Sequence, residues 1–72
     1  MTQAQRAQAR RFMYNHIEDH RDPQTGEVNL TALAEDAANT LNIYEGNDAP
    51  EELFELSYSV DRNVTFTLSR GR

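Results

Sequence analysis

The chain contains no cysteine, no tryptophan and no lysine, and only two prolines and three glycines among its 72 residues. Without cysteine there is no disulfide staple and no thiolate to hold a metal or act as a nucleophile. Gly26, Gly46 and Gly71 are scattered, so no glycine-rich loop can cradle a phosphate. No apolar run approaches the ~20 residues of a membrane-spanning helix. Residues 1–11 lack the apolar stretch of a secretory signal, and the expected setting is the cytosol without membrane attachment. No serine sits in a nucleophile elbow. Paired carboxylates (Glu35 with Asp36, Glu51 with Glu52) fall on helix faces expected to be solvated, where nothing shifts their pKa toward acid–base work. The expectation is a protein without catalytic activity and without a cofactor.

What is present is one small domain, expected over residues 1–68, with residues 69–72 as a mobile C-terminal tail. A chain this short buries only about 60% of its unfolded surface. Fifteen large apolar residues between Phe12 and Leu68 must therefore form one thin core.

The central element is an amphipathic helix over 29–41. On a helical wheel, Leu30, Leu33, Ala34, Ala37, Ala38 and Leu41 share one arc of about 140°. The small alanines let a neighbouring helix approach closely. Asn29 or Thr31 can cap its N-terminus by accepting an orphan backbone N–H.

An earlier helix starts at Thr2, whose spacing to Gln5 is that of a capping box, and is expected to stop at Asp22-Pro23. Its apolar face is Ala9, Phe12, Met13 and Ile17, and Arg10 stands four residues before Tyr14, in reach of a cation–π contact. His16 and His20 are also four apart, a spacing that can share a metal. Ile17 stands where a zinc-protease motif needs glutamate, so the reading preferred here is two histidines interacting with the negative end of the helix. No metal ligand is assigned.

Asp22-Pro23-Gln24-Thr25-Gly26 reads as a turn, and Glu27-Val28-Asn29-Leu30 alternates as a very short strand would. Asp48-Ala49-Pro50-Glu51 is a second helix start, and the third helix is expected over 49–59. Phe54, Leu56, Tyr58 and Val60 also alternate with polar residues, so a strand joined through Asp61-Arg62-Asn63 to another competes with that reading. Val64, Phe66 and Leu68 alternate as a strand, to be paired with Val28 to Leu30. The sequence therefore predicts a mainly α (small α+β) fold. It has three helices around one thin core and a short two-stranded β element. That order resembles the skeleton of a winged-helix domain with a reduced wing, a likeness of topology only.

Charge is segregated. Residues 1–21 carry a net +2 and residues 62–72 a net +3, while residues 22–61 hold ten acids and no base. Such a field recruits a basic partner and speeds its association. The leading functional expectation is a small acidic module or adaptor that binds a basic protein. Glu51, Glu52, Glu55 and Tyr44 are the candidate partner-binding residues, and Tyr58 is a second possible aromatic anchor. Two alternatives stand beside it: a winged-helix DNA-binding regulator using arginines at the chain ends, and an acidic DNA mimic or inhibitor. Nucleic acid is not expected to meet the third helix, whose first residues are Asp48, Glu51, Glu52 and Glu55. A homodimer is possible through the edge of a Val64–Leu68 strand.

Overall fold

The computed structural model describes the backbone of residues 1–70 and the side chains of residues 1–67. Three helices follow one another: α1 (Gln3–His16), α2 (Leu30–Leu41) and α3 (Glu51–Arg70), with one turn of 3-10 helix at Ile17–His20. α3 packs on both α1 and α2, and α1 packs on α2.

Helix α1 begins at the expected capping box. The Thr2 hydroxyl accepts from the Gln5 N–H at 3.1 Å, and the Gln5 side chain accepts from the Thr2 N–H at 2.9 Å. Ala9 and Met13 are its buried residues, and Ile17 carries the buried face into the 3-10 turn. Asn29 caps α2 by accepting from the Ala32 N–H at 3.0 Å. At the other end Asn42 takes a left-handed backbone (φ 57), a conformation asparagine tolerates. The N–H of Asn42 and of Ile43 both reach the Ala38 carbonyl, and Ile43 is tucked into the core.

The expected β element does not form: among the described residues there is no strand and no sheet. Val28 makes one isolated antiparallel bridge with Arg21, across the Asp22–Gly26 turn, and goes no further. The stretch 64–68 is helical, as is 54–60, and Asp61-Arg62-Asn63 is the middle of α3 rather than a hairpin loop. The third helix therefore runs Glu51–Arg70 rather than 49–59. The winged-helix likeness falls with the wing, and so does the homodimer through a strand edge. The reason lies in which period buries more. Helical spacing puts Leu53, Leu56, Ser57, Val60 and Val64 within an arc of about 100° on a wheel. The first four of these are buried, with Val64 packed against them. The alternating pattern would instead have buried Tyr58 and Phe66, which are 54% and 61% exposed. Of the expected mobile tail, Ser69 and Arg70 continue the α3 backbone, and residues 71–72 lie outside the described residues.

The core holds Ala9, Met13, Ile17, Leu33, Ala34, Ala37, Ala38, Ile43, Leu53, Leu56 and Val60. Leu41 and Phe54, expected to be buried with them, are half-buried at the margin. The fully buried Ser57 satisfies its hydroxyl by donating to the Phe54 carbonyl at 2.7 Å. With Ala34, Ala37 and Ala38 it keeps the interior small-volumed, as close approach between helices requires.

Candidate interaction site at Tyr44

The corner between α2 and α3 is built by short-range chemistry. Buried Ile43 anchors the exit from α2, and this leaves Tyr44 on the surface, 45% exposed. Glu45 and Asp48 then pair backbone to backbone, at 2.9 Å and 3.3 Å, around a tip where Gly46 takes φ +67. Pro50 is buried, and its carbonyl accepts from the Leu53 N–H at 2.9 Å in the first turn of α3. The Tyr44 hydroxyl donates to the Asn39 side-chain oxygen, which fixes the ring against α2.

Two shallow hollows flank this ring, and Tyr44 lines both. One, of about 320 Å³, runs toward the start of α1 and includes Glu45, Glu51 and Glu52. The other, of about 210 Å³, faces α2 and includes Glu35 and Asp48. Three of the four residues singled out in the sequence, Tyr44, Glu51 and Glu52, are thus brought together. Glu55 is not: it stands one turn further along, exposed on α3. Glu35, Glu45 and Asp48 join the site although the sequence offered them only as part of a general acidic stretch. Their convergence depends on the tight Glu45–Asp48 turn folding back on α2.

The four acids other than Glu52 form no ion pair among the described residues. Glu52 is engaged within the fold. Arg6 Nη2 and Nε donate to its carboxylate at 2.7 and 3.2 Å, and the Met1 amino group lies 3.8 Å away. The hydrogen bond from Arg6, foremost, holds the Glu52 carboxyl below its ordinary pKa. General acid catalysis would require the opposite displacement. The Arg6–Glu52 contact joins residues 46 apart in sequence, and no local pattern announces it.

The sign of that displacement sets a pH dependence. An unfolded chain with an ordinary glutamate binds the proton more readily than the folded chain does, so stability rises with pH across this window. The contribution of the pair is complete above the ordinary glutamate range, near pH ~4.3, and is lost as pH falls through the lowered folded-state value. Glu52→Gln is therefore expected to be less stable than the parent at neutral pH, with the gap closing in acid. Urea unfolding over a pH series measures this, and a gap that stays constant down to the acid limb contradicts the assignment.

The two histidines are drawn apart. The helix tightens from α to 3-10 at Ile17, and each imidazole finds its own carboxylate. His16 Nδ1 is 3.0 Å from Asp19 Oδ2 and its ring stacks on Phe12 at 4.3 Å, whereas His20 Nε2 is 3.0 Å from Asp36 Oδ2 on α2. No group of three or more histidine or carboxylate side chains among the described residues is placed to hold a metal. Tyr14 accepts a hydrogen bond from Asn63 Nδ2 at 3.2 Å, which ties α1 to α3. No helix among the described residues is long and apolar enough to cross a membrane. Compared with known proteins, the chain matches no family model, no curated protein and no solved structure.

Proposed function

We propose that the protein is a small, non-catalytic interaction module whose Tyr44 corner receives a basic segment of a protein partner. The observation that carries this reading is the pair of hollows on either side of one exposed, hydrogen-bonded tyrosine ring. Among the described residues, four of the five carboxylates that line them form no ion pair. An arginine of the partner fits that chemistry well. Its guanidinium stacks on the ring face and forks onto a carboxylate at the same time. Glu51 is the foremost carboxylate for this role, being exposed and without an ion pair among the described residues, while Glu52 mainly secures α1 to α3. The DNA-binding alternative loses its topological support with the missing wing. The acidic start of α3 faces outward beside Tyr44, a poor surface for phosphates.

The test is affinity capture with three baits: the parent chain, Tyr44→Ala and Glu51→Arg. A specific basic protein is expected on the parent bait, lost in high salt. Removing an interface tyrosine typically costs ~2 kcal/mol or more, about a thirtyfold loss. A partner retained equally by all three baits would place the interaction elsewhere.

A further inference from the structure

The outward face of α3 runs on from Glu51 at the Tyr44 corner and has a pattern of its own from Glu55 onward. Glu55, Tyr58 and Arg62 are all exposed and stand three and four residues apart, so they form one straight stripe along the helix. Phe66 continues it one turn further on and is 61% exposed. The Arg62 guanidinium lies 5.7 Å from the centre of the Tyr58 ring. Neither Glu55 nor Arg62 forms an ion pair among the described residues. A shallow depression of about 750 Å³ runs beside Tyr58, Arg62 and Phe66. From Glu55 to Arg62 the stripe reads acid, aromatic, base in chain order.

That order is complementary to its own reverse. We propose that α3 is the interface of a homodimer, in which a second copy of the chain lies antiparallel across this stripe. With a twofold axis beside Tyr58, Glu55 stands opposite Arg62 of the second copy and Arg62 opposite its Glu55, with the two Tyr58 rings between them. A twofold contact uses the same patch on both subunits, so one self-complementary stripe suffices to close the assembly at two chains. Helices packed in this way lie 8–10 Å apart, close enough for these side chains to meet. A parallel arrangement would set glutamate against glutamate and arginine against arginine. The two crossed charge pairs therefore select the antiparallel one.

Sedimentation equilibrium over a range of concentrations tests the proposal, with circular dichroism to establish that each variant is folded. The parent chain is expected to dimerise reversibly. Glu55→Arg and Arg62→Glu, both at exposed positions, are each expected to weaken the dimer about tenfold or more, since each sets like charges face to face twice. An equimolar mixture of the two variants is expected to recover a dimer of mixed composition, because one chain then carries two bases and the other two acids along the stripe. Tyr44→Ala is expected to leave dimerisation unchanged. A chain that stays monomeric at the highest concentration, a dimer indifferent to Arg62→Glu, or a mixture that remains monomeric would each overturn the proposal.

Discussion

Replacing Leu33 by alanine is expected to cost about 2–5 kcal/mol, the range for a fully buried leucine. Leu33 is wholly inaccessible at the end of the first turn of α2, among the side chains that α1 and α3 bring to the core. Its neighbours on the same face are Ala34, Ala37 and Ala38, which are too small to fill the space by shifting rotamer. The transfer loss therefore comes with a cavity that cannot collapse. A small domain has only about 5 kcal/mol of stability at the low end, so the variant is expected to be largely unfolded at physiological temperature. Leu41→Ala is expected to cost less, because Leu41 lies half-buried at the margin of the core. Urea unfolding of the two variants measures both. A loss below about 1 kcal/mol at Leu33 would remove α2 from the centre of the fold.

Ser57→Glu is expected to be as damaging, at about 3–5 kcal/mol, the cost of an uncompensated charge in a core. The Ser57 side chain is fully buried, and its one hydroxyl is satisfied within its own helix by the Phe54 carbonyl. Among the described residues no basic side chain is buried beside it to pair with a carboxylate. Tyr58→Glu, at the next position, is expected to change the stability of the isolated chain by less than about 0.5 kcal/mol. The contrast between adjacent residues separates helix from strand. A strand would bury Tyr58 and expose Ser57, and the order of the two effects would then reverse. Thermal and urea denaturation below the concentration at which the chain self-associates gives both numbers.

The second of these predictions concerns the stretch where the sequence misleads. The cap at Thr2 is legible in the sequence and the cap of α2 is narrowed there to Asn29 or Thr31, because a side-chain oxygen three residues from a free N–H is a local arrangement; the structure selects Asn29. The apolar arc of α2 was legible for a similar reason, since six small or aliphatic residues fit no other period. From Phe54 to Leu68 two periods overlap. Leu56, Val60 and Val64 belong to both, and threonine, valine and phenylalanine favour strands by intrinsic preference. The tie is broken by tertiary packing: a long α3 can lie on both α1 and α2, whereas a strand at 64–68 would need a partner that Val28 alone does not supply. A polar Ser57 at the helix–helix contact also disguised the helical stripe, since serine counts against an apolar face in any pattern.

At the candidate site, Tyr44 and Glu51 could be chosen from the sequence because an exposed turn and a helix start are both local features. The loss of Glu52 to Arg6, and the gathering of Glu35, Glu45 and Asp48 around the ring, depend on how α1 and α2 meet α3. Glu55 was grouped with Glu51 and Glu52 by sequence proximity. It stands one helical turn beyond Glu51 on the same line of α3, past the residues that line the hollow and next to Tyr58 and Arg62, where it serves the proposed twofold contact.

The reading of the Tyr44 corner is tested most directly by an NMR titration of the isotope-labelled protein with a short, unstructured arginine-rich peptide at moderate salt. The expected result is a saturable set of shifts centred on Tyr44, Glu45, Asp48 and Glu51, weakened about thirtyfold by Tyr44→Ala. Shifts spread over every exposed carboxylate, including Glu18 and Glu27 away from the corner, and indifferent to Tyr44→Ala, would show only the general attraction of an acidic surface and would contradict the assignment.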